Sequence, residues 1–191
     1  YQCGEGGALI INHEDFIDRA EILREKGTNR NLFLKGIVDK YRWVDIGSSY
    51  LPSELNAAFL MAQFQMAKKI KEKRLLLWNE YSKNLGENSN IMLQEIPKEI
   101  THNGHMFFIK LKDIKQRQKM IEHLKSYGIQ SVFHYIPLHE SNKCKEYNIF
   151  NGKDVYTSKE SERILRLPLY YDLNISDIKY ICKMVSQFFN K

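Results

Sequence analysis

Gly47, Ser48 and Ser49 stand just ahead of a helical pattern that opens at Ser53. Two hydroxyls and free amides at a helix N-terminus suit a phosphate, with plain helix capping as the competing reading. His134 and His139, with Cys144 beyond them, have the residue types of a zinc site. Pro137 lies between the histidines, so the helical i, i+4 geometry of HExxH is excluded and no metal site is expected. Histidines at a strand end in a wet cleft, or merely structural ones, remain the readings. Gly4, Gly6 and Gly7 are no dinucleotide fingerprint, because Leu9 stands where a third glycine is needed and a strand follows them. They serve either a backbone turn or close approach to a ligand. Gly104, Phe107 and Phe108 match an RNA-recognition sheet only in part, and alternating strand aromatics are more often core.

The elements that must hold these residues follow from periodicity. ALIIN (8–12) reads as a short strand, with Asn12 as the cap of a helix whose Phe16, Ala20 and Leu23 share a face and whose C′ residue is Gly27. Residues 28–50 are polar, glycine-punctuated and aromatic, a composition that builds binding loops. Leu55, Phe59, Ala62, Met66, Ile70, Leu77 and Tyr81 recur at helical spacing, predicting one helix over 53–83, roughly 45 Å long at 1.5 Å per residue. HMFFIKL (105–111) and IQSVFHYIP (129–137) read as neighbouring strands. Asp113 with Gln116, and Thr157 with Glu160, have capping-box spacing, and Ser176 precedes a helix with Ile178, Ile181, Cys182, Val185 and Phe189 inward. The second half is thus a small two-layer α+β unit. The division falls near 80–90, giving residues 1–84 and 85–191.

Composition narrows the class. The chain has 191 residues, about one domain and a fraction. With 43% hydrophobic and 12% aromatic residues it is neither disordered nor low in complexity. Its 29 basic and 23 acidic residues leave +6, interleaved along the chain, which reads as a solvated lysine-rich surface and calls for no nucleic-acid partner. Three cysteines without CxxC spacing argue against a disulfide framework and fit a reduced, cytoplasmic setting. The longest apolar run, AAFLMA (57–62), is far short of the roughly 20 residues of a membrane span. The opening YQCGEGG has neither region of a signal peptide.

Taken in order, CGEGGALIIN, REKGTNR, WVDIGSSYLPSELNAA, VFHYIPLH and SERILRLPLYY resemble the sugar-nucleotide aminotransferases, pyridoxal-phosphate enzymes of fold type I. GTNR and GSSY look most like the branch that aminates dTDP-4-oxo-6-deoxyglucose to dTDP-4-amino-4,6-dideoxygalactose. Many relatives carry asparagine at the position of Ser49 and arginine at that of Leu51. The resemblance implies an α/β fold: the tail of a large cofactor-binding domain, a long connecting helix and a small α+β two-layer domain, together the C-terminal half of such an enzyme. It implies cofactor contacts at Ser48 and Ser49, and substrate contacts at Arg30, His134, Tyr135 and His139. The family's cofactor-binding lysine precedes the GEGG loop, so the resemblance implies no catalytic residue in this chain and no covalent cofactor. It further implies a nucleotide-sugar substrate, glutamate as amino donor, and a homo-oligomer or the missing N-terminal half as partner. A non-catalytic remnant, acting only in dimerisation or ligand binding, is the alternative.

Overall fold

The computed structural model describes residues 1–147, 150 and 152–190. The chain divides into two compact units, Tyr1–Ala67 and Lys68–Lys191. The division lies ahead of the expected 84/85. Leu77, Trp78, Tyr81 and Leu85 of one helix are buried in the second unit's core, so that helix is part of the second unit.

The first unit carries a 3-10 turn at Glu14–Phe16 and the helices α1 (Ile17–Arg24), α2 (Arg30–Leu34) and α3 (Glu54–Gln65). Residues 8–12 form no strand; Leu9 and Ile10 lie exposed, with no second strand to take their backbone groups. The first turn is entered from His13 rather than capped by Asn12. At the other end of α1 the C′ residue is Lys26 (φ 61°), not Gly27. Gly27 (φ 73°) is one place further, and its N–H closes a 2.9 Å bond to the Ile22 carbonyl, the outer bond of a Schellman turn. Among the described residues no apolar side chain of this unit is buried.

The expected single helix over 53–83 is two helices. Ser53 caps α3, its Oγ accepting the Asn56 N–H at 3.2 Å. At Met66 the ladder tightens to an i−3 bond (3.1 Å to Gln63 O) and ψ reaches 3°, ending α3 before α4 (Ala67–Leu85) begins. Neither Gly nor Pro marks the break, so periodicity ran through it.

The second unit is a four-stranded antiparallel sheet with helices on one face. Its strands are β1 (Met92–Leu93), β2 (Phe107–Lys110), β3 (Val132–Phe133) and β4 (Ile164–Leu167), in spatial order β1-β2-β4-β3. The two expected strands share this sheet but are not neighbours, because β4 lies between them. β4 follows directly on α7 (Thr157–Arg163), and four residues fused to a helix give too short an alternation to recognise. Phe107 and Ile109 of β2, with Leu165 and Leu167 of β4, face the core against Leu77, Tyr81, Met120, Leu124, Ile178 and Val185. Those partners come from α4, α5 (Ile114–Ser126) and α8 (Ile175–Phe189). Between β3 and α7 lies the short α6 (Asn142–Tyr147).

Capping is reassigned at two helices. Asp113 and Gln116 cap α5 as expected, Asp113 accepting the Gln116 N–H at 2.8 Å. The Gln116 side chain accepts the Lys112 N–H at 2.9 Å. At α8 the capping box is Asn174 with Asp177, not Ser176. At α7 Asp154 accepts the N–H groups of Thr157 (2.9 Å) and Ser158 (3.1 Å), while Glu160 is drawn off to Lys110 and Arg163.

Phe107 is the hub of this core, fully buried and stacked on Tyr81 with ring centroids 4.8 Å apart. Phe107→Ala should cost about 3–5 kcal/mol, as large cavities in a packed core do. Urea unfolding followed by tryptophan fluorescence checks it, since Trp78 lies 5.4 Å from the same ring.

Candidate functional site

The sequence-nominated residues fall into one group on each unit. In the first, residues 44–50 run back along the end of α1. Val44 and Asp45 donate to the Gly27 carbonyl (2.8 and 3.0 Å), Ser48 to Leu23 O (3.0 Å) and Tyr50 to Arg24 O (3.2 Å). The Lys26 N–H returns a bond to Ser48 O at 3.1 Å. These bonds satisfy carbonyls that the end of a helix leaves unpaired. The approach is so close that a Cβ on Gly27 would sit 1.7 Å from Asp45 O, and one on Gly47 2.1 Å from Gly27 N. Glycine at both positions is therefore a steric requirement.

This crossing decides what each serine can offer. Ser48 has spent its N–H and C=O on α1, leaving only an exposed hydroxyl. Ser49 bridges Glu25 across the pairing; the residue is exposed, and its N–H and hydroxyl are without a hydrogen-bond partner among the described residues. Arg30 lies beside the same turn, its Nη1 3.3 Å from Glu25 Oε1, which also receives Lys26 Nζ at 2.9 Å. The hydrogen bond from Lys26, with Arg30 adding to it, holds the Glu25 carboxyl below its ordinary range.

In the second unit β3 leads into His134 and Tyr135, whose rings lie 5.2 Å apart. His134 is half-buried and its Nδ1 is without a partner, while Tyr135 stands exposed under the Arg166 guanidinium at 5.6 Å. His139 follows Pro137 in a 3-10 turn, and its Nε2 lies 2.9 Å from Asp154 Oδ2. The Ser158 hydroxyl donates to the same carboxylate oxygen. A carboxylate only accepts, so Nε2 carries a hydrogen and donates it. The ring also packs 4.5 Å from that of Phe150. Asp154 and Arg166 were missed from the sequence. Arg166 had a visible signal, a charge between Leu165 and Leu167, whereas Asp154 had none.

His139, Glu140 and Asp154 have potential metal-ligand atoms within 4.8 Å of one another; neither His134 nor Cys144 belongs to that group. Asp154 Oδ2 is already bonded to His139 and Ser158. Among the described residues no helix is long and apolar enough to cross a membrane.

Comparison with known proteins supplies a wider frame. The model of the DegT/DnrJ/EryC1/StrS aminotransferase family matches residues 2–186. UDP-4-amino-4,6-dideoxy-N-acetyl-beta-L-altrosamine transaminase of Campylobacter jejuni is 26% identical over 187 residues, covering 93% of this chain and 46% of that protein. Among solved structures, DesV of S. venezuelae in complex with a ketimine intermediate superposes with a TM-score of 0.80 at 20% identity, over 95% of this chain and 46% of its own. Spr1654 from Streptococcus pneumoniae in its PLP-form gives 0.73 at 19%, over 94% and 45%. The chain thus spans about half the length of the relatives it matches, and its fold is that of their corresponding part.

The Asp154 carboxyl is held at about 2, below its ordinary 3.8, first by the Ser158 hydroxyl and then by the Ser158 N–H, His139 and the Thr157 N–H. A depressed carboxyl contributes stability fully above its ordinary value and loses it as pH falls through the folded value. Asp154→Asn should therefore melt at a lower temperature than the parent at pH 7, and the gap should close between about pH 4 and pH 2. Differential scanning fluorimetry across that range is the check.

Proposed function

The chain belongs to the DegT/DnrJ/EryC1/StrS aminotransferase family, whose enzymes depend on pyridoxal phosphate, and we propose that it is the C-terminal portion of one that aminates a nucleotide-linked 4-keto-6-deoxy sugar. The substrate we favour is dTDP-4-oxo-6-deoxyglucose, with glutamate as amino donor and the cytoplasm as its place of action. The observation that carries the reading is the Gly27–Gly47 crossing, which leaves Ser49 with two free donors inside the motif that resembles the family's phosphate-contacting segment.

The fit of this chain to the cofactor is partial. Ser49, through its N–H and Oγ, and Ser48, through Oγ alone, suit a phosphate. No lysine present stands in the family's cofactor-binding motif. When bound, pyridoxal phosphate supplies the electron sink that makes proton removal beside the amino group feasible. The chain's own part is binding. Arg30, paired with Glu25, and the group His134, Tyr135 and His139 are the residues proposed to hold the sugar nucleotide. No catalytic residue is assigned, and the chain alone is expected to be inactive. Borohydride reduction in the presence of cofactor, followed by peptide mass spectrometry, should find no stoichiometric lysine adduct. One site-specific adduct would overturn the assignment.

A second reading, a folded module for dimerisation, is favoured by α3. ELNAAFLMAQFQ is apolar on all sides, yet Leu55, Phe59, Met61 and Phe64 are exposed and none of its residues is buried. An apolar stretch of this extent is unusual on a lone soluble chain, and a helix without a polar face is normally enclosed. The cover proposed is a second copy or an N-terminal half. Phe59→Glu should convert a self-associating chain to a monomer with an unchanged circular dichroism spectrum, as read by light scattering. A parent chain monomeric at high micromolar concentration would exclude self-association.

A further inference from the structure

The loop that enters β2 carries the sequence His-Asn-Gly-His over residues 102–105. Arg74 of α4 clasps it, donating through Nε to Gly104 O at 3.0 Å and through Nη2 to His105 O. Gly104 adopts the left-handed conformation (φ 61°), and a Cβ there would lie 3.0 Å from both carbonyl atoms of Arg74. Close packing on α4 therefore demands glycine at 104, directly after an exposed asparagine.

In an Asn-Gly pair nothing on the second residue shields the asparagine side chain from attack by the backbone nitrogen that follows it. Two hydrogen bonds here favour that attack. The Gly104 N–H donates to His102 Nδ1 at 3.3 Å, so a base faces the proton that must leave before the nitrogen can act as a nucleophile. Because Nδ1 accepts, the imidazole is neutral with its hydrogen on Nε2, and its ring is held edge-on to that of buried Trp78, centroids 4.6 Å apart. On the other side the His105 N–H donates to Asn103 Oδ1 at 3.0 Å. That bond polarises the amide and stabilises the negative charge that attack at Cγ places on the oxygen. Base, electrophile, nucleophile and oxyanion donor follow one another along residues 102–105.

We propose that Asn103 is a site of self-catalysed deamidation, with His102 as its general base and the His105 N–H as its oxyanion donor. The Gly104 nitrogen bonds to Asn103 Cγ and gives its proton to His102. The Cγ–Nδ2 bond then breaks, and the side-chain nitrogen takes that proton and leaves as ammonia. Water opens the resulting succinimide at either carbonyl, leaving aspartate or isoaspartate, so water is the one co-reactant. Both products add a negative charge, and isoaspartate also lengthens the backbone by a methylene just ahead of the two carbonyls that Arg74 holds. The loop feeds β2, so the change is delivered to the strand that carries Phe107. The site is read from this unit's geometry alone and stands whether or not the aminotransferase reading does.

Incubation of the 191-residue chain in mildly alkaline buffer, followed by tryptic peptide mapping, reads conversion at Asn103 apart from that at the other Asn-Gly pair in the sequence, Asn151–Gly152. Labelling with an isoaspartyl methyltransferase identifies the isoaspartyl product. Asn103 should lose its amide faster in the folded chain than in the same chain unfolded in guanidinium chloride, and His102→Gln should slow the folded chain about tenfold or more. An Asn103 that keeps its amide in the folded chain, or reacts there no faster than in the unfolded one, would overturn the proposal. So would a folded His102→Gln chain that reacts at the parent's rate. Should His102→Gln fail to fold, the folded and unfolded rates of the parent decide between these outcomes on their own.

Discussion

The period-two alternation of β4 is the constraint on which the larger unit depends. Ile164–Leu167 is the middle of the sheet, pairing with β2 through four residues and with β3 through two. Leu165 and Leu167 enter the core from it, so one strand fixes both the register of its neighbours and the seat of α5 and α8. A slip of one residue would turn both leucines outward and drive Arg166 into an apolar interior. The same alternation therefore secures the core and holds Arg166 on the opposite face, beside Tyr135. Stability and the arrangement of a charged side chain are two readings of a single geometry.

The smaller unit rests on a different kind of constraint. None of its apolar side chains is buried among the described residues, so what organises it is backbone. Gly27 and Gly47 let two chain segments meet at a distance that any Cβ would forbid, and five hydrogen bonds between residues 23–27 and 44–50 follow from that approach. The contact consumes the Ser48 backbone and leaves that of Ser49 outward. Two glycines thus decide which serine's backbone is consumed by the contact, although neither serine makes the close approach itself.

What could be read from the sequence depended on the strength of each local signal. α5 and α8 have regular apolar stripes and were legible, as was β2 with Phe107 and Ile109 on one face. β1 was not, because two residues give alternation nothing to repeat over, nor was β4, which is fused to the end of α7 without a turn between them. The break at Met66 was invisible, since it needs no Gly or Pro and arises in the hydrogen-bond ladder alone. Caps were misplaced where several candidates crowd together, as with Asn174, Ser176 and Asp177. At the site, Arg30, Ser48, Ser49, His134, Tyr135 and His139 were nominated by motif. The partners that determine their state, Glu25, Asp154 and Arg166, depend on tertiary pairing that no spacing encodes.

The two units also differ in what their apolar residues are for. In the larger, helices α5 and α8 spend their apolar side chains inward on Phe107, Ile109, Leu165 and Leu167, and the core is closed. In the smaller, Leu9, Ile10, Trp43, Ile46, Leu55 and Phe59 all lie exposed, though burying even one large side chain is worth about 1.5–3 kcal/mol. Contiguous apolar surface of that kind is unusual on a folded chain, and the smaller unit presents it outward where the larger unit encloses its own. The free donors of Ser49 lie within that same uncovered unit. The exposed apolar surface and the unpartnered donors of Ser49 thus belong to one unit, whereas the larger unit closes its own core.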